Sequence, residues 1–136
     1  MLEKAKAAVK PYALLPVRFG LGLTLLIHGW SHATAPGTLV RALERADLPR
    51  AELFAWGVVG LELLGGALIL AGFQARLAAF VLAAWLFAEA FVLRWSGGWF
   101  ADSNGFEHPL LLALCALGVF LGGPGRASVD SIRGKA

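Results

Sequence analysis

Four ionisable side chains stand where an apolar chain should carry none. Glu62 lies within the apolar stretch Ala51–Phe73, Arg18 and His28 within Tyr12–Trp30, and Glu89 within Arg76–Leu93. At bilayer depth an unpaired carboxylate costs roughly 2.5–3.5 kcal/mol even on lenient insertion scales. Each charge should therefore face a partner or a cavity inside a helix bundle. A histidine beside a carboxylate can exchange protons near neutral pH, and an arginine beside a carboxylate neutralises it. Glu107, next to His108, stands at the mouth of a further apolar run. Arg18, His28, Glu62, Glu89 and Glu107 are thus the candidate residues for holding a polar ligand or carrier head group, with no catalytic role assigned to any of them.

Spacing suggests how they pair. At about 100° per residue, Arg18, Gly22, Leu25, His28 and His32 share one stripe of their helix, the side expected to face the bundle. Gly65 and Gly66 lie on or near the face of Glu62, where a neighbouring backbone could approach closely. At 1.5 Å per residue, Arg18 lies about 9 Å and Glu62 about 16 Å from one end of their spans, with Glu89 at about 20 Å and His28 at about 24 Å. Two layers are expected, Arg18 with Glu62 and His28 with Glu89. His28 and His32, spaced i, i+4, would need a third ligand to make a zinc site. Histidines are common at membrane interfaces, and neither metal nor haem is expected.

The elements that must position these residues follow from composition. Hydrophobic residues make up 58% of the 136-residue chain and charged residues only 15%, with mean hydropathy +0.70. A soluble domain of this size could not bury so much apolar surface. The fold class is all-α, an integral membrane four-helix bundle forming a single domain over residues 1–136, with spans near 12–30, 51–73, 76–93 and 108–122. Pro16 falls in the first turns of span one, where a missing N–H is tolerated. Spans two and three form a tight hairpin. The last is short for a 30 Å core. Span one resembles a secretory signal in its lysines and its Ala33-Thr34-Ala35, but it is too long and too charged for one.

Between spans one and two, Thr38–Asp47 reads as a short amphipathic helix on the membrane surface or capping the bundle. The connection Trp95–Glu107 reads as plain linkage rather than a lid. Lys4, Lys6, Lys10, Arg76, Arg126, Arg133 and Lys135 fall on one side and Arg41, Arg45, Arg50 and Arg94 on the other. That asymmetry puts both termini in the cytoplasm. Trp30, Trp56, Trp95 and Trp99 then form a belt at the outer interface. The net charge of +3 comes from span ends, so no nucleic-acid partner is expected. Cys115 is the one cysteine, which excludes a dithiol mechanism and leaves a packing role.

The order of these landmarks resembles the DoxX family of small four-span membrane proteins. The matching pieces are the Arg18 span ending in His28-Gly29, the run from Gly60 through Glu62 to Gly66, and Gly72 followed by Arg76. Gly105-Phe106-Glu107 and the closing Gly123-Pro124-Gly125-Arg126-Ala127-Ser128-Val129-Asp130 complete the set. The chain departs from the pattern where such proteins often carry a lysine after His-Gly, since here Trp30, Ser31 and His32 follow. The resemblance implies a prokaryotic cytoplasmic-membrane protein of the kind associated with quinone-linked sulfur oxidation, terminal oxidases or oxidative-stress complexes.

Two functions compete. The first is a redox-linked subunit holding a quinone or similar lipid-soluble carrier, not covalently bound, with Arg18, Glu62, His28 and Glu89 supplying hydrogen bonds and proton exchange. Electrons would come from a partner redox protein. The second is a non-catalytic membrane anchor or assembly factor for a partner enzyme. A small carrier or channel is a third class, and it would need a homo-oligomer to make a path.

Overall fold

The computed structural model describes residues 1–134, with the side chains of all but Leu2, Ala5, Lys6 and Ala7. Lys135 and the Lys6 side chain, which enter the charge comparison, lie outside the described residues, as does Ala136. The elements are α1 (Leu2–Val9), α2 (Leu15–Thr34), α3 (Gly37–Arg45), α4 (Ala51–Ala71), α5 (Ala75–Ala88), α6 (Glu107–Gly122) and α7 (Val129–Ile132), and no strand occurs among the described residues. A single 3-10 turn, Lys10–Tyr12, leads into α2, and α5 runs on as a π turn, Glu89–Leu93. The fold is an all-α helical bundle.

Three stretches, Lys10–Thr34, Ala51–Ala71 and Ala75–Leu93, are long and apolar enough to cross a membrane. The fourth helix, α6, has 16 residues and reaches about 24 Å. Helix α2 packs on α4, α4 on α5, α5 on α6, and α6 back on α2. The core inside this ring is built from Leu21, Leu25, Ile69, Leu82 and Leu86 together with alanines of α5 and α6. Those small residues let the helices approach closely. Large apolar side chains such as Phe19, Ile27, Leu64 and Phe80 point outward, while Arg18 and Glu62 are buried. Large apolar side chains turned outward, around a core that also buries two charges, make the arrangement of a bilayer protein.

Helix α4 stops at Gly72, whose φ of +65° lets its N–H bond Ile69 O while Phe73 N–H bonds Leu68 O, a glycine-terminated Schellman cap. Helix α3 is amphipathic as its sequence suggests. Leu39 and Leu43 are buried against Ala51, Ala55 and Val58 of α4, so this helix caps the bundle. The bundle thus has two ends. The turn end holds the α4–α5 turn and the C-terminal segment, and the histidine end holds α3 and the 94–107 connection.

Candidate functional site

At the turn end Arg18 is 1% exposed and every bond it makes is to backbone. It donates through Nε to Ile69 O at 3.1 Å, through Nη2 to Leu70 O at 2.9 Å, and through Nη1 to Ala127 O at 2.9 Å and to Pro124 O. Ile69 and Leu70 lie in the last turn of α4, whose carbonyls lack intrahelical donors and carry the negative end of the helix dipole. Asp130 answers across the same turn. Its carboxylate accepts from Gln74 N–H at 2.9 Å and Ala75 N–H at 3.0 Å, capping α5. Arg76 likewise donates to Phe120 O and Leu121 O at the end of α6. The closing Gly-Pro-Gly-Arg-x-Ser-x-Asp segment is therefore a clasp on the hairpin. The expected pairing of Arg18 with Glu62 does not form.

Register explains why. Glycines set the contact between the antiparallel α2 and α4: a Cβ on Gly22 would meet Gly66 O at 2.9 Å, and one on Gly29 would meet Glu62 Cβ at 3.1 Å. Glu62 therefore lies near the level of Gly29, far along α2 from Arg18. Its carboxylate, on a residue 3% exposed, accepts instead from His32 Nδ1 at 2.7 Å.

The second expected pair is also replaced. Glu89 accepts from Arg94 Nε at 2.7 Å, not from His28. The π turn makes this contact possible: Arg94 N–H bonds Glu89 O at 3.1 Å, so residues five apart face the same way. Arg94 also donates to Asn104 Oδ1 at 2.7 Å. His28 stacks on His108 with ring centroids 5.2 Å apart and meets His32 edge-on at 6.0 Å. Half-buried, His28 stays within electrostatic reach of both Glu62 and Glu89. Glu107 accepts from Ala101 N–H at 2.9 Å and, with the stacked rings of Trp95 and Phe106, holds the 94–107 connection in a packed form. Among the described residues no group of three His, Cys, Asp or Glu could hold a metal ion.

Two cavities flank the histidines. An apolar one of about 350 Å³ is lined by Trp99, Glu107, His108, Leu110, Leu111 and Leu114. A polar one of about 370 Å³ has His32, Glu89 and Arg94 facing Thr38, Arg41 and Arg45 of α3. His108, His28 and His32 make a row between them, ending on the buried Glu62. Within the row the rings meet by stacking and edge contacts, the hydrogen bond is that of His32 to Glu62, and an imidazole can take up a proton near neutral pH.

The helices that carry His28, His32 and Glu62 lie in a segment matched by one family model, DoxX, over residues 13–95. That is more than half of the chain. This protein belongs to the DoxX family. No curated protein and no solved structure matches the chain. The DoxX match takes in α2 to α5 with Arg18, His28, His32, Glu62 and Glu89. It stops before Glu107, His108 and the Asp130 clasp, so it covers less of the chain than the sequence landmarks do. Of the five candidate residues of this DoxX chain, the structure brings His28, Glu62 and Glu89 to one end, with Glu107 beside them, and sends Arg18 to the other.

Sequence reasoning missed the polar roles of His32, Arg94, Arg41 and Arg45. His32 had a signal, because it continues the stripe of Arg18 and His28. Arg94 had none, because an i, i+5 contact needs the π turn.

Proposed function

We propose that this DoxX protein is a redox-linked membrane subunit that takes the head group of a quinone-type carrier at its histidine end. The carrier enters the apolar cavity beside His108 and Glu107. Its oxygens take hydrogen bonds there. Protons move between it and the polar cavity through His28, His32 and Glu62, and electrons come from a partner redox protein. The single observation that carries this reading is the row of three imidazoles joining an apolar cavity to a buried carboxylate. In this reading all four long helices span the cytoplasmic membrane of a prokaryote, with the turn end and both termini in the cytoplasm and the histidine end at the outer interface.

A second reading is a non-catalytic anchor or assembly factor. The Arg18 clasp favours it, since that buried charge is fully occupied in holding backbone. Solvent extraction of the purified protein separates the two. The carrier reading expects stoichiometric bound quinone in wild type and its loss in His108→Ala with helicity retained. Wild-type protein free of quinone in every detergent, and unable to take up an added short-chain quinone, would leave the anchor.

A further inference from the structure

We infer that the polar cavity between α3 and the π turn binds a tetrahedral oxyanion of the phosphate type, as a free ion or as the head group of an anionic phospholipid. This site does not rest on the carrier reading, because its chemistry lies in arginines that the histidine row does not use.

The charges around the cavity do not cancel. Arg41, Arg45 and Arg94 line it together with one acid, Glu89. Glu89 is already bonded to Arg94 at 2.7 Å, and the other nearby carboxylate, Glu62, is bonded to His32. Arg41 and Arg45 make no hydrogen bond or ion pair among the described residues. They stand four apart on one face of α3, where like charges repel. The helix cannot turn them away, because Leu39 is 7% and Leu43 0% exposed, seated on the core beneath. The bundle therefore holds two unpaired guanidiniums toward a third, with the Thr38 hydroxyl beside them as a further donor.

Guanidinium forks bind phosphate oxygens through paired N–H bonds. A volume of about 370 Å³ suits a phosphate or a lipid head group rather than a peptide. The site also sits at the end that carries the exposed Trp30 and Trp95, the side chains that mark head-group level. An anion there would neutralise Arg41 and Arg45 and fasten α3 to Arg94 on the π turn.

The test uses the full-length protein in zwitterionic detergent with inorganic phosphate as probe, and in nanodiscs containing phosphatidylglycerol or phosphatidylcholine alone. A free-ion site gives a saturable rise in melting temperature with phosphate that chloride at equal ionic strength does not reproduce. A head-group site gives selective retention of phosphatidylglycerol in native mass spectrometry. In either case Arg41→Gln combined with Arg45→Gln should weaken binding by about tenfold or more. Arg126→Gln, an exposed arginine at the other end, should leave it unchanged. Both cavity arginines are exposed, and Arg45→Gln alone serves as the second variant, with unliganded melting and helicity checked for each. Response to neither probe, a response that chloride matches, or equal binding by the double variant overturns the site. Quinone content measured on the same samples keeps this outcome separate from that of the carrier reading.

Discussion

His32 and Glu62 are bonded at 2.7 Å across the α2–α4 interface, one turn beyond the glycine that lets the two helices touch. Gly29 permits the approach and His32 uses it. A carboxylate 3% exposed is thereby tied to an imidazole at the rim of a polar cavity.

Breaking that pair from either side should reveal that its two members are coupled. Glu62→Gln or His32→Ala alone leaves one buried polar partner uncompensated, a loss of about 3 kcal/mol for a well-buried pair. The double variant should lose less than the sum of the two. Equilibrium unfolding in mixed detergent, run as a double-mutant cycle, reads the coupling directly. Strict additivity would mean that the two side chains act apart.

Arg18 should not be replaceable by lysine. Its planar fork reaches carbonyls of both α4 and the C-terminal segment at once, and an ammonium group cannot span them. Arg18→Lys should therefore destabilise by about 2 kcal/mol or more, the scale of one or two charge-assisted bonds. Combined with Glu62→Gln, the effects should add, because the residues sit at opposite ends. A measured coupling between Arg18 and Glu62 would contradict the register described above.

Glycine substitutions should divide by position. A Cβ on Gly22 would lie 2.6 Å from Leu70 Cγ and 2.9 Å from Gly66 O, so Gly22→Ala should force α2 and α4 apart at about 1–3 kcal/mol. Gly20 and Gly60 have nothing within 4 Å. Alanine at either should be neutral or stabilise by up to about 1 kcal/mol. Thermal unfolding of the three single variants orders them, and equal melting points would refute the close crossing.

The orientation has its own check. A reporter active only outside the cytoplasm, fused after Ala136, should stay silent, while the same reporter inserted between Trp99 and Gly105 should be active. The reverse pattern would invert the assignment of the two ends.

The helices were legible in the sequence because hydropathy alone nearly sets them, and α3 announced itself through Leu39 and Leu43 against Arg41 and Arg45. The polar pairs were not. Depths counted from the ends of the spans place Arg18 and Glu62 within reach of each other, but the glycine contacts bring Gly22 level with Gly66, which sets Glu62 further along. Glu89 was misassigned for another reason: an ordinary helix would point residue 94 elsewhere, and only the π turn brings it back. The closing Gly-Pro-Gly-Arg motif was visible as a pattern. Its purpose became clear only once Arg18 lay beneath it.

Because Arg18 bonds only to backbone oxygen, it is blind to the side chains at positions 69, 70, 124 and 127. What it reads is the path of the chain. That path depends on Gly72, Gly123 and Gly125, with φ of +65°, +79° and +74°, where a side chain is strained. At Gly72 a Cβ would also run into Arg18 itself. The turn end should therefore resist substitution at these glycines even though none of them offers a side chain, because the carbonyls that Arg18 meets are placed by backbone torsion.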